Sequence, residues 1–94
     1  MDKAESNALI ETEIARLKAM GYRELTRYIE NQENKEVTGS AGKSYQMEVL
    51  AVWDSRPEGD LRVFVSIDDG GLLRAIFPKT KSFIVAPDGA LVGE

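Results

Sequence analysis

The chain has 94 residues, 43% hydrophobic and 30% charged, which is enough for one globular domain with a single core and excludes a disordered composition. Sixteen acidic and twelve basic residues give a net charge of −4, which disfavours a nucleic-acid partner. Cysteine and histidine are both absent, which excludes a disulfide framework, thiolate chemistry and the commonest transition-metal ligand.

The first third of the chain is predicted to be helical, over residues 6–32. Apolar residues recur at helical spacing on both sides of a break, at Ile10, Ile14 and Leu17, then at Leu25, Tyr28 and Ile29. Ser6 is the predicted N-cap. Gly21 either ends the first helix or is tolerated inside one longer helix, and we favour two helical segments with a bend at Gly21.

The rest of the chain, over residues 36–92, is predicted to be an antiparallel sheet, because its hydrophobic period changes to two. The expected strands are a short one around Glu36–Thr38, then 44–53, 61–67, about 72–77, "SFIVA" and a short terminal "ALV". The fold class is therefore α+β. We expect a single domain over residues 1–94, with the helical segments packed on one face of an antiparallel β-meander of about four to five strands.

The stretch "GSAGKS" at residues 39–44 ends like a phosphate-binding loop but fails both tests for one. Such a loop needs a glycine five positions before its Gly-Lys-Ser, and Val37 stands there. It is also followed by a helix whose N-terminus binds the phosphate, whereas the residues after Ser44 alternate with period two. We expect a hairpin turn.

Paired carboxylates are the main catalytic possibility left to a chain without histidine or cysteine. Asp54 and Asp60 flank the loop "DSRPEGD", and Asp68 and Asp69 lie at the other end of the strand that follows. A glycosidase-like pair is conceivable. Aspartates at turns far more often bond their own backbone, so we expect no catalytic residue here.

Metal, cofactor and nucleic-acid sites are not expected either. Counted from Asp54 as a calcium loop, the third position is Arg56 and the twelfth is Val65, neither of which can coordinate the ion. Three lysines that could share an edge of the sheet have few aromatic neighbours, which does not suggest a nucleic-acid surface. No apolar run reaches the roughly 18 residues that span a bilayer, and the start lacks a secretory signal pattern, so we expect a cytoplasmic protein without a membrane partner.

The register of the sheet follows from its turns. Across the 54–60 loop, Trp53 is predicted to pair with Leu61. A two-residue turn at Asp69-Gly70 predicts the pairs Ile67–Leu72, Val65–Arg74 and Val63–Ile76. One face then carries Met47, Val49, Ala51, Trp53, Leu61, Val63, Val65, Ile67, Leu72, Arg74 and Ile76. The other carries Glu48, Leu50, Val52, Arg62, Phe64, Ser66, Leu73, Ala75 and Phe77.

The second face is too apolar for a sheet surface that meets water. Three explanations remain open. The second helical segment or the C-terminal strands cover this face, or a partner chain covers it, or a bulge at Leu72-Leu73 shifts the register. Under the second explanation the candidate interface residues are Leu50, Val52, Phe64 and Phe77, rimmed by Arg62, Asp54 and Asp60.

Three runs between Tyr45 and Glu94 carry a resemblance: "YQMEVLAVWDSRPEGDLRVFVSIDDGG", "RAIFP" and "FIVAPDGALVGE". They resemble a small bacterial family of uncharacterised α+β domains. The resemblance implies a fold and no reaction, and by analogy with similar small acidic domains it suggests an immunity or accessory role. The positions it draws attention to are Trp53, Asp54, Arg56, Asp60 and Arg62. A structural reason for them is that the two arginines bridge the two aspartates around the proline turn.

The expected function is a non-enzymatic protein-interaction domain that binds a protein partner, or itself as a homodimer, through the apolar sheet face. The alternative is a small-ligand-binding or carboxylate-dependent enzymatic module at the Asp54–Asp60 loop. A flat apolar face favours the first function, and a true cleft at the loop favours the second.

Overall fold

The computed structural model describes residues 2–70 and 79–93. The elements run in the order α1 (Lys3–Lys18), α2 (Tyr22–Leu25), a 3-10 helix (Thr26–Ile29), β1 (Glu33–Thr38), β2 (Ser44–Trp53), β3 (Leu61–Asp68), β4 (Lys79–Val85) and β5 (Leu91–Val92). The strands form one antiparallel sheet in the order β1-β2-β3-β4-β5. The predicted α+β fold, with helices packed on one face of a β-meander, is confirmed.

The first helix begins three residues earlier than the sequence pattern suggested. Asp2 is its N-cap, and the Asp2 Oδ1 atom accepts a hydrogen bond of 2.9 Å from the backbone N–H of Glu5. Ser6 is a fully buried residue inside α1, so its assignment as the cap is wrong: Asp2 is a competent cap one turn earlier. The bend at Gly21 is confirmed, and Gly21 is the N-cap of α2. No helix in the described residues has the length and apolar content to cross a membrane.

The turn at "GSAGKS" joins β1 to β2, as predicted. The Gly39 N–H donates a 2.9 Å hydrogen bond to the Lys43 carbonyl, and the Gly42 N–H donates one of the same length to the Gly39 carbonyl. Gly42 has φ +85°, a conformation that glycine adopts without steric penalty. The next hairpin also has the expected register, with Trp53 opposite Leu61 and Val49 opposite Val65.

The partner of β3 on its other side differs from the prediction. Val63 lies opposite Phe83, and Ile67 lies opposite Lys79. The predicted pairing of β3 with Leu72, Arg74 and Ile76 is therefore wrong, because β2 and β4 take both edges of β3. The strand predicted at about 72–77 lies outside the described residues. Gly70 lies just after the end of β3 and has φ +84°, but an Asp-Gly dipeptide does not fix how many residues precede the next strand.

The core lies between the helices and one face of the sheet. On β3 the alternation is complete: residues 61, 63, 65 and 67 are buried and their neighbours are not. Tyr22, Tyr28 and Ile29 of the second helical segment pack against the same core. The buried hydrophobic residues are Ile10, Ile14, Leu17, Leu25, Tyr45, Met47, Val49, Ala51, Leu61, Val63, Val65, Ile67, Phe83 and Val85.

An ion network joins α1 to β1 at the edge of this core. Glu13 is only 6% exposed. Its two carboxylate oxygens accept hydrogen bonds of 2.9 and 2.7 Å from Arg16, and the Lys35 Nζ atom lies 2.8 Å from Oε2. Glu33 Oε1 is 3.6 Å from both cations. A buried carboxylate is thus compensated by two basic groups, one from its own helix and one from the sheet.

Candidate functional site

The sheet surface that faces away from the helices, here called the open face, carries several apolar side chains. Its apolar residues lie on four adjacent strands and are Leu50, Val52, Phe64, Ile84 and Val92. Leu50 lies opposite Phe64, and Ile84 lies opposite Val92. Such cross-strand pairs have Cβ atoms about 4.5–5.5 Å apart, close enough for direct side-chain contact. Val52 is 42% exposed and Val92 is 38% exposed.

Within residues 2–70 and 79–93, no helix covers the open face. The 3-10 helix packs on the core side, where Tyr28 and Ile29 contact the core. β4 and β5 extend the sheet sideways instead of folding over it. The explanation that the second helical segment or the C-terminal strands cover this face is therefore wrong, because the helical segment packs on the core side and β4 and β5 continue the sheet, where Ile84 and Val92 add to the open face. Leu72 and Leu73, where a bulge was the third explanation, lie outside the described residues.

The open face also carries polar side chains. Arg62 contacts Asp54 through its Nε and Nη2 atoms, both 3.0 Å from Asp54 Oδ1. The hydroxyl groups of Ser66 and Thr80 lie 2.9 Å apart on the neighbouring strands. In the strand register Arg62 stands between Val52 and Ile84, so the ion pair lies among the apolar residues, while the hydroxyl pair lies further along the strands.

Of the seven candidate interface residues, Leu50, Val52, Phe64 and Arg62 lie on the open face. Asp54 and Asp60 lie beside each other between β2 and β3, where the Asp60 carbonyl accepts a 2.8 Å hydrogen bond from the Asp54 N–H. Phe77 lies outside the described residues. Sequence reasoning missed Ile84 and Val92, because it paired β3 with the wrong segment. The alternation of Ile84 with the buried Phe83 and Val85 is the signal that could have found Ile84, whereas both residues of β5 are exposed and give no such signal for Val92.

A second surface feature lies at the end of the sheet on the helix side: a groove of about 520 Å³ between the second helical segment and the 54–60 loop. The Tyr22 and Trp53 rings meet at a centroid distance of 6.4 Å and an angle of 43°. The Tyr22 hydroxyl donates a 2.7 Å hydrogen bond to the Gly59 carbonyl, which fixes the loop against α2. The lining residues are Tyr22, Arg23, Thr26, Ile29, Glu30, Trp53 and Glu58.

The loop at the groove holds a residue in an unfavourable conformation. The Gly59 N–H donates a 3.1 Å hydrogen bond to the Arg56 carbonyl, which closes a turn with Pro57 and Glu58 at its centre. Glu58 has φ +64°, where glycine or asparagine is usual. For other residues this left-handed conformation costs about 1–2 kcal/mol. The fold therefore keeps a glutamate at the groove in spite of its backbone strain.

We expect Glu58→Gly to raise the free energy of unfolding by up to about 1 kcal/mol, because glycine adopts this φ without the steric penalty of a Cβ atom. Denaturant unfolding measures the change. The control is Glu58→Ala, which removes the charge and keeps the Cβ atom, and should give no such gain. Equal stabilisation by alanine and glycine would show that charge, and not backbone strain, is the cause.

The groove has a negative electrostatic character. Burial raises the pKa of Tyr22, and the carboxylates of Glu58 and Asp60 raise it further. Among the described residues, Glu30, Glu58 and Arg23 form no ion pair, so the groove wall carries two carboxylates and one guanidinium that are not neutralised by direct contact.

The aspartates weighed for catalysis have structural partners. Asp54 is paired with Arg62, and the Lys43 Nζ atom lies 3.4 Å from Asp69 Oδ2. Asp68 accepts a 2.9 Å hydrogen bond from the Gly70 N–H, the local backbone bond expected of a turn aspartate. Over the described ranges, no three acidic side chains are grouped so that they could hold a metal ion. Arg62 makes the predicted bridge to Asp54, but Arg56 has no ion pair within the same ranges.

No family model, curated protein or solved structure matches this chain. The similarity of residues 45–94 to a bacterial domain family stays a prediction. The functional argument therefore depends on the open face and the groove.

Proposed function

We propose that this chain is a non-enzymatic protein-interaction domain that binds through the open face. The observation that supports it is the group of apolar side chains on the sheet surface opposite the helices, where Val52 and Val92 are exposed and Leu50, Phe64 and Ile84 are partly exposed. Removing apolar surface from water contributes about 25 cal/mol per Å², so covering the exposed parts of these side chains favours association. Contiguous apolar patches on a protein surface commonly mark interfaces.

A second copy of the chain is the partner that this surface fits best. A two-fold dimer brings the same patch of each subunit together, so the patch must be self-complementary. The surface carries both signs of charge, in Arg62 and Asp54, and a copy related by a two-fold axis can present the opposite charge to each. A different protein partner would use the same patch.

The biological setting is proposed from the resemblance and the composition. The resemblance of residues 45–94 suggests a bacterial protein with an immunity-like or accessory role. Without cysteine the chain has no disulfide framework that would indicate an oxidising compartment, and we propose the cytoplasm.

We expect Phe64→Glu to abolish association and to leave the fold intact, because the Phe64 side chain lies on the face away from the core. Sedimentation equilibrium should give a dimer for the wild-type chain and a monomer for the variant. Circular dichroism checks the fold of both.

The matched control is Thr80→Glu, which adds the same charge on the same face but outside the apolar patch, and should leave the association unchanged. A wild-type chain that is monomeric up to millimolar concentration would exclude the homodimer. Affinity capture would then have to recover a protein that binds wild type and not Phe64→Glu; recovery of the same proteins by both would exclude the open face as an interface.

A second candidate function is the binding of a small ligand beside the Asp54–Asp60 loop. The groove supports it, since its volume of about 520 Å³ lies within the range of roughly 300–1,000 Å³ typical of ligand pockets. The carboxylate-dependent enzymatic form of this proposal has less support, because Asp54 is held in an ion pair. A saturable change in the fluorescence of Trp53 on adding a small molecule would test ligand binding.

A further inference from the structure

The groove offers an aromatic surface in a partly enclosed setting. Trp53, the one tryptophan of the chain, is half-buried and lines the groove beside the tilted ring of Tyr22. The Tyr22 hydroxyl is already bonded to the Gly59 carbonyl, so that ring is fixed in place. A tryptophan face attracts cations that come within about 6 Å of the ring centroid, more strongly than the other aromatic residues do.

The charges around these rings have a definite arrangement. Glu30 ends the 3-10 helix on one side of the groove, and Glu58 stands on the loop on the other. Neither is ion-paired within residues 2–70 and 79–93, and Glu58 is kept at its place in a strained backbone conformation. Arg23 is the one basic residue among the lining residues, so the lining has a net charge of −1.

We propose that the groove binds a small organic cation whose alkylguanidinium or alkylammonium group stacks on Trp53 and pairs with Glu58 and Glu30. This inference rests on the second candidate function, ligand binding beside the 54–60 loop, and is independent of the open face. An anionic ligand would face two carboxylates against one guanidinium. A neutral ligand would gain neither the two ion pairs nor the electrostatic attraction to the tryptophan ring.

The first experiment compares butylguanidinium with butylurea, a neutral molecule of nearly the same shape, by titration of the Trp53 fluorescence. We expect saturable quenching by butylguanidinium and at least about tenfold weaker binding of butylurea, because only the cation gains the ion pairs and the attraction to the ring. Raising the salt concentration should weaken the binding of the cation only.

The second experiment changes the lining charges one at a time. Glu58→Gln and Glu30→Gln should each weaken butylguanidinium binding about fivefold, and Arg23→Gln should strengthen it by a similar factor, because it removes a like charge. The control is Glu24→Gln, which removes one charge from the same short helix at a position that does not line the groove. It should change the affinity little.

The possible outcomes test two claims separately: that the ligand is a cation, and that the groove binds a ligand at all. Equal binding of butylguanidinium and butylurea, or no effect of the Glu58→Gln and Glu30→Gln variants, would overturn the cation inference and leave ligand binding in place. No saturable response to either compound, by fluorescence or calorimetry, would overturn both the cation inference and ligand binding.

A capped Gly-Arg-Gly peptide distinguishes the sources of the cation. Binding tighter than that of butylguanidinium indicates a side chain of another protein, and weaker binding indicates a free small molecule.

Discussion

The substitution Phe83→Ala is expected to lower the free energy of unfolding by about 3–5 kcal/mol, whereas Phe64→Ala should lower it by about 1–2 kcal/mol. The two residues stand on adjacent strands but on opposite faces of the sheet. Phe83 is 5% exposed in the core, lies opposite Val63, and has the Lys18 Nζ atom 5.7 Å from its ring centroid. Phe64 is half-buried on the open face. Its removal leaves no cavity between helix and sheet.

Denaturant unfolding at a protein concentration where the chain is monomeric measures this difference. The comparison is matched, since both variants remove the same side chain from a central part of the sheet. Similar losses for the two variants would show that the open face is packed as tightly as the core, which would contradict its assignment as a binding surface.

The second large effect is expected for Glu13→Gln, which should lower the free energy of unfolding at pH 7 by about 1–3 kcal/mol. The variant keeps the size of the side chain but leaves Arg16 and Lys35 without their buried counter-charge. The loss stays below that of a fully buried pair, because the Arg16 side chain is 47% exposed and can turn to solvent.

The pH dependence of stability gives a separate test of the same network. Hydrogen bonds from Arg16 lower the pKa of Glu13 below its ordinary value of 4.5, and Lys35 lowers it further, while burial acts in the opposite direction. A carboxyl group whose pKa is lower in the folded chain stabilises the fold above the unfolded pKa, and this contribution disappears as the pH falls through the folded pKa. The stability gap between wild type and Glu13→Gln should therefore be constant near neutral pH and close below about pH 4.

The control for both measurements is Glu11→Gln on the same helix. Glu11 also has a lowered pKa, because the Lys81 Nζ atom donates a 2.5 Å hydrogen bond to it, but its side chain is 56% exposed. Solvent screens an ion pair of this kind, so the variant should change stability little. A Glu11→Gln effect as large as that of Glu13→Gln would show that burial is not what gives the Glu13 network its strength.

The elements of this fold follow closely from the hydrophobic period of the sequence. Strand β2 begins and ends at Ser44 and Trp53 as predicted, because its alternation is regular and a glycine-containing turn and a proline-containing loop bound it. The faces of β2 and β3 were assigned correctly for the same reason. The helix start was misplaced by one turn, since the apolar period does not begin until after the cap and both Asp2 and Ser6 are good capping residues.

What the sequence did not indicate depends on contacts between distant residues. Two segments with alternating hydrophobicity follow β3 in the sequence, at about 72–77 and at 82–86, and the Asp69-Gly70 dipeptide does not indicate which of them pairs with β3. The groove forms because the Tyr22 hydroxyl bonds the Gly59 carbonyl. The two residues are 37 positions apart, one in α2 and the other in the 54–60 loop. The local hydrophobic pattern does not indicate a contact between such distant residues, so no function was predicted for Tyr22, Arg23 and Glu30.

The strict order of the sheet has a consequence for biosynthesis. Each strand pairs with the one made just before it, so a chain emerging from the ribosome can add β2 to β1, then β3 to β2, without waiting for distant segments. Helix α1, which covers the core face of the sheet, is synthesised before the strands that it packs against. Assembly can therefore proceed from the N-terminus to the C-terminus during translation, with the short β5 joining last.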